Sequence, residues 1–221
     1  MVRWVNVRRC VLGIALSSMV AGCGATRSSA DNPTSFGGLT PNTPDMEAGL
    51  VAIAPGFDIR TYKAVVVEKF EVTDSEIQDG GDRRFAAKMT QYLHLQLLRR
   101  LRECGLFQQV VSATDGGAKP LDGAALRLRG VVTRLGRGSQ VARYFAGLYG
   151  AGRTRAQADL QLLDAASGKV GLVTADRRVA SVGMLGGSDE EHLEESFNDL
   201  ARDFAKFLVR LSQGQAPKAA P

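Results

Sequence analysis

Three sets of side chains in this 221-residue sequence have types and spacing that could do chemistry. The first is the stretch RYFAGLYGAGRT, Arg143 to Thr154, in which Gly147, Gly150 and Gly152 crowd between arginines as in a phosphate-cradling loop. Such a loop needs a strand before it, a helix N-terminus after it facing the anion, and commonly a Gly-Lys-Ser/Thr junction. Here the glycines lead straight into an alternating segment that starts at Arg153, and no Lys-Ser or Lys-Thr follows. The nucleotide reading fails on that context. The second set is Arg127, Arg129, Arg153 and Arg155, which alternation places on one face of a sheet. They would suit an anionic ligand such as a glycolipid; the competing reading is a solvated face balanced by Asp159 and neighbouring acids. The third set is His94, His192 and Cys104. Both histidines fall on predicted helices in mostly solvent-facing settings, and neither has Cys, His or Glu at zinc-ligand spacing. Cys104 sits on the apolar side of a helix end and reads as a structural thiol. With no Gly-x-Ser-x-Gly elbow, no catalytic residue, metal or cofactor is assigned, and the chain reads as a non-enzyme.

The glycine-rich stretch offers something else. Val141, Tyr144, Phe145, Leu148 and Tyr149, flanked by Arg143 and Arg153, form a cluster of large apolar side chains in a loop. Such a cluster suits contact with a protein partner, another copy or the lipid headgroup zone. The plainer reading is that the glycines permit a bulge or a sharp bend into the next hairpin.

The address is written in the leader. MVRWVNVRRCVLGIALSSMVAGC carries Arg3, Arg8 and Arg9, then an apolar run from Cys10 to Val20 that is too short to span a bilayer, which needs about 20 residues. Residues 1–22 are therefore expected to be a removed export signal. Val20-Ala21-Gly22-Cys23 resembles the bacterial lipobox, which implies a lipid-modified Cys23 and an amine-terminal acyl chain. Two or more chains anchor a protein stably. Gly24 after the cysteine, by the same resemblance, favours the outer membrane, with the domain in the periplasm.

Removing the leader takes away three of the 28 basic residues and leaves 25 against 23 acids, so the mature charge is about +2. That balance and the export signal argue against a nucleic-acid or nucleotide partner. Only Cys104 remains besides Cys23, so no intramolecular disulfide forms. Residues 23–49 comprise the acylated cysteine and a Gly/Ser/Thr/Asn/Pro-rich stretch expected to be a flexible tether of roughly 25 Å span. Residues 213–221 read as a disordered tail.

Between them, residues 50–212 read as one domain. The spacing predicts a strand over Tyr62–Thr73, an N-cap at Asp82, and a helix whose stripe is Phe85, Met89, Tyr92, Leu93, Leu97, Leu101 and Cys104, ended by Gly105. Strands follow at 106–113, 124–135, 153–164 and 170–182, the last two joined by a turn at Asp164–Lys169. In the third of these, Arg155, Gln157, Asp159 and Gln161 point outward. Ser188 and Glu191 form a capping box for a closing helix with Leu193, Phe197, Leu200, Phe204 and Leu208 on its stripe. The order β-α-β-β-β-β-α gives a two-layer α+β domain: a mostly antiparallel sheet covered by two amphipathic helices.

The order of FDIRTYKAVVVEKF, RLRECGLFQQVV, ALRLRGVVTRL, GLYGAGRTRAQADLQLLDAASGKV and the pair Gly186-Gly187 before the closing helix resembles the bacterial lipoproteins grouped as domain of unknown function 4410. The element order is also similar to the periplasmic domain of the curli secretion lipoprotein family and to the N-terminal domain of the translocation protein TolB. The resemblance implies a role by protein contact in envelope assembly or secretion.

Overall fold

The computed structural model describes residues 25–74, 77, 79–114, 123–136, 154–180 and 188–219. Among these, nine strands form one sheet: β1 (Thr26–Ser28), β2 (Thr43–Asp45), β3 (Gly49–Ile53), β4 (Ala64–Val67), β5 (Glu71–Val72), β6 (Gln109–Ser112), β7 (Ala125–Gly136), β8 (Thr154–Asp164) and β9 (Val170–Ala180). The order across the sheet is β2-β3-β9-β8-β7-β4-β6. Along β9, β1 continues the line of β3; along β7, β5 continues the line of β4.

The two helices, α1 (Gly80–Glu103) and α2 (Asp189–Ser212), form because apolar residues recur every three or four positions and both ends are capped. The Ser188–Glu191 capping box is present as expected. At α1 the cap is Asp79 rather than Asp82: the Asp79 carboxylate accepts the Asp82 N–H at 2.7 Å, which adds Gly80 and Gly81 to the first turn. Gly105 takes φ +68° just past the Cys104 C-cap. Met89, Leu93, Leu97, Leu101, Phe197, Phe204 and Leu208 share one core with Leu126, Leu128, Leu160 and Leu162 of the sheet. Each such side chain contributes about 1.5–3 kcal/mol on burial. The helices run parallel, as the Lys88–Glu190 ion pair and the Arg100 Nη2 to Asn198 Oδ1 bond of 2.9 Å require.

Two parts of the sheet differ from expectation. The strand expected over Tyr62–Thr73 is two, and both run parallel to β7, while β4 also runs parallel to β6. Parallel pairing of β4 with β6 follows from α1, a crossover that returns the chain in its original direction. The break is a bulge: Val67 faces Leu128 and Glu71 faces Val131, four steps against three, and Phe70 turns into the core between them.

The second difference is larger. The stretch expected to be a flexible tether is built into the domain from Thr26 onward. β1 pairs with β9, β2 pairs with β3, and Gly49 joins them at φ +75°, where a Cβ would stand 2.3 Å from the Ala175 carbonyl oxygen. Residues 29–41 form a strap over the sheet face opposite the helices. Its backbone is held by side chains of β8: Asp31 N–H donates to Gln157 Oε1 (2.8 Å), Gln157 Nε2 donates to the Asp31 carbonyl (2.9 Å), and Thr34 N–H donates to Asp159 Oδ2 (2.7 Å). Gln157 and Asp159, expected to point to solvent, do lie on that outer face but are wholly buried beneath the strap. The tail is also engaged: Met46 N–H donates to the Lys218 carbonyl at 2.8 Å, and Lys218 N–H donates to Asp45 Oδ2 at 3.1 Å. A polar, glycine-rich segment gains order here from hydrogen bonds rather than from a core of its own.

Candidate functional site

The most densely charged place in the described fold is where β1 meets β9. Arg27 stands opposite Arg178 in register, so both side chains lie on the helix side of the sheet. Arg27 Nε donates to Asp176 Oδ1 at 2.9 Å and Nη2 donates to Asp176 Oδ2 at 3.0 Å. The same guanidinium donates to the carbonyls of Met46 and Glu47. The buried Arg178 bridges Asp176 (2.8 Å) and Asp203 (2.9 Å) from its Nη2, and Asp203 is further bound by Arg202 at 2.9 Å. Two carboxylates this close would suit acid–base work if one held a proton. For Asp203, burial pushes the carboxyl up, but hydrogen bonds from Arg202 and Arg178 outweigh it and leave it below the ordinary value. The cluster is a clamp: its carboxylate oxygens are occupied by guanidinia.

A second clamp closes the domain. Arg210 Nη2 donates to both oxygens of Asp45 (2.8 and 2.7 Å), its Nε donates to Glu47, and the Asp45 side chain is fully buried. Burial raises the Asp45 carboxyl, while Arg210 and the N–H groups of Glu47, Lys218 and Ala48 bring it below 3.8. Asp45 and Asp203 thus stabilise the fold above their unfolded value, and that stabilisation is lost as pH falls through the lowered folded value. Asp159 has the opposite sign: burial beneath the strap raises it despite bonds from Thr34 and Gln157. Its contribution is full below 3.8 and is lost as pH rises through its raised value. The expected result is an acid-unfolding transition below about pH 4 that Asp45→Asn weakens, while Asp159→Asn removes a loss on the alkaline side of 3.8. Denaturant titrations across pH measure both.

Of the arginines expected on one sheet face, Arg127, Arg129 and Arg155 are on that face but do not form a cradle. Glu68, from the bulge after β4, takes the Nε–H of Arg127 and that of Arg129 (2.6 Å) on its two oxygens. Arg155 is exposed and pairs in register with Gly136, at the far end of β7 from Arg127. Its separation from Arg129 is six residues along β8, about 20 Å. Because these ion pairs are two-fifths exposed on the arginine side, each is worth about 1 kcal/mol or less. Glu68→Gln is therefore expected to cost little stability in a denaturant titration while raising retention of the chain on a sulfated polyanion column. Arg143, Tyr144, Phe145, Leu148, Tyr149 and Arg153 lie outside the described residues, as does Cys23.

One cavity, about 520 Å³, opens beside α1 between Lys69–Phe70 and the end of β6. His94 stands in it and is buried, against the solvent-facing setting expected for it. Its Nδ1 lies 2.9 Å from the Glu68 carbonyl, an acceptor only, so Nδ1 donates there, and Nε2 shares a hydrogen bond with Ser112 Oγ at 2.9 Å. Thr114 closes the chain at 2.7 Å from Ser112 Oγ. The linkage holds α1 to the bulge and to β6. Its sequence signal was present: His94 precedes Leu97 by three residues and Leu98 by four, which puts it on the edge of the apolar stripe. Cys104 is half-buried, its thiol donates to the Leu101 carbonyl at 3.2 Å, and burial raises its pKa, as for a structural thiol. Among the described residues no group of His, Cys, Asp and Glu is arranged to hold a metal ion, and no helix is long and apolar enough to cross a membrane.

A sheet with two parallel helices on one face and a strapped N-terminal segment on the other defines an α+β domain whose charged sites are clamps. The sequence profile of the family described as domain of unknown function (DUF4410) matches residues 65–183, and the chain belongs to that family. No curated protein matches it. Solved structures with a similar fold include the PelC dodecamer from Paraburkholderia phytofirmans, at 15% identity over 76% of this chain and 96% of that one, TM-score 0.46. A Xanthomonas campestris protein of the DUF330 family is 13% identical over 79% and 95%, TM-score 0.48. A minor lipoprotein from Acinetobacter baumannii is 16% identical over 72% and 98%, TM-score 0.36.

Proposed function

We propose that this chain is an outer-membrane lipoprotein, acylated at Cys23, whose periplasmic domain binds or scaffolds another envelope protein without catalysis. The observation that carries the reading is the position of β1. A lipobox cysteine lies three residues before a strand that is hydrogen-bonded to β9 and clamped through Arg27 to Asp176. A link only three residues long keeps a domain close to a bilayer, which serves a scaffold and adds nothing to a freely diffusing catalyst. The occupied arginines and carboxylates favour protein contact over an anionic ligand, because Arg127 and Arg129 would have to release Glu68 first. The aromatic stretch from Arg143 to Arg153 is the partner-contact candidate.

The test is crosslinking in intact cells of an affinity-tagged chain, followed by mass spectrometry, beside Cys23→Ala and Tyr144→Ser/Phe145→Ser. The expected result is a stoichiometric protein partner that is lost with Cys23→Ala and weakened by the double serine variant while the domain stays folded. Partner capture unchanged in both variants would refute the reading.

A further inference from the structure

The end of the sheet that carries the start of β1 also carries the end of β7, the start of β8, the end of β9 and the starts of both helices. Thr26 is opposite Val179, Gly136 is opposite Arg155, and Thr154 is opposite Ala180. α2 begins at Asp189 after β9, and α1 runs parallel to it from Gly80. The other end holds the Asp164–Lys169 turn and the α1 C-cap at Cys104. β8 separates the two ends by about 35 Å for its 11 residues.

From these positions we infer that the Thr26 end of the sheet is a bilayer-facing surface, held against the headgroups of the membrane in which Cys23 is anchored. The inference rests on the acylation of Cys23 proposed above. Cys23 to Thr26 is three residues, at most about 10 Å of chain at full extension. That is less than a third of the length of β8, so the Asp164–Lys169 turn cannot exchange places with the Thr26 end while β1 stays paired. The Arg27 clamp, which joins Asp176 of β9 and the carbonyls of Met46 and Glu47, keeps β1 from peeling away to lengthen the reach.

Charge at this end fits the same occupant. Arg83 and Arg84 are exposed near the N-terminus of α1, and Arg155 is exposed at the start of β8. None of the three has an ion-pair partner among the described residues. The positive end of a helix favours acids rather than arginines, so Arg83 and Arg84 gain nothing from α1 and are free to meet anionic phospholipid. The acids at the start of α2 are partly used within the fold, Glu190 by Lys88 and Glu191 by the capping box. The surface faces lipid headgroups while the distal turn and the Cys104 end point into the periplasm.

The experiment uses the acylated full chain, with Cys104→Ala, reconstituted in vesicles of phosphatidylethanolamine and phosphatidylglycerol that carry a headgroup spin label. Gly80→Cys and Ala166→Cys, both exposed positions, receive a fluorophore in separate preparations. The expected result is quenching several-fold stronger at position 80 than at 166. Mass spectrometry of each preparation reads the acyl chains. Equal quenching, or stronger quenching at 166, in an acylated chain overturns this inference alone; a mature chain without acyl groups overturns it together with the proposed function.

Discussion

A chain that starts at Leu50 is expected to lose at least about 3–5 kcal/mol of stability against a chain that starts at Gly24, measured by denaturant titration. The deletion removes Arg27 from the buried Asp176 carboxylate and Asp45 from Arg210, two breaks in buried ion-pair networks. It also uncovers Gln157 and Asp159, which then lose the backbone of Asp31 and Thr34. Had residues 24–49 been a tether, the same deletion would change stability by a few tenths of a kcal/mol. The two outcomes differ by an order of magnitude, so one pair of titrations separates them.

The second large effect is at Asp45. Asp45→Ala is expected to cost about 3–5 kcal/mol. The carboxylate is bound at both oxygens by Arg210, and it also accepts the N–H groups of Glu47 (2.8 Å), Ala48 (3.0 Å) and Lys218 (3.1 Å). Removing it orphans those three donors and leaves a guanidinium only 14% exposed with Glu47 as its remaining partner. A buried charge without its partner costs more than the pair was worth. Asp45→Asn keeps the shape and one acceptor oxygen, and a smaller loss than for alanine is expected in the same titration.

What the sequence shows of this fold divides along a physical line. α2 was legible because its signals are local: a capping box three residues wide and a stripe repeating every three or four residues through Phe197, Phe204 and Leu208. The turn at Asp164–Lys169 was legible for the same reason, and Ser167 N–H bonds to Asp164 Oδ1 at 2.7 Å as turn chemistry predicts. The strap was not, because its bonds reach far along the chain: Arg27 finds Asp176, Asp31 finds Gln157 and Asp45 finds Arg210. Composition reads such a segment as unable to bury a core, which is true, and says nothing of distant side chains that bind its backbone. One local signal was there to use. Phe36-Gly37-Gly38-Leu39 is a two-residue Gly-Gly hairpin connection, and Phe36 and Leu39 do exchange both backbone hydrogen bonds, at 3.0 and 2.9 Å.

The arginine row shows a different limit. Alternation placed Arg127, Arg129 and Arg155 on the correct face, since a strand's side-chain period of two is set by its backbone. It could not foresee that Glu68 sits in a bulge outside the regular register and takes both guanidinia. For His94 the limit was narrower: its helix was predicted correctly, and its burial depends on where the β4–β5 bulge places the Glu68 carbonyl.

Amide hydrogen exchange of residues 25–53 in the full chain is the most direct test of whether this segment is built into the domain. The account predicts that the paired amides of β1 and the N–H groups of Asp31 and Thr34 exchange slowly, with protection lowered together by Arg27→Ala. Exchange of those amides at the rate of an unstructured chain would contradict it and return the segment to the status of a tether.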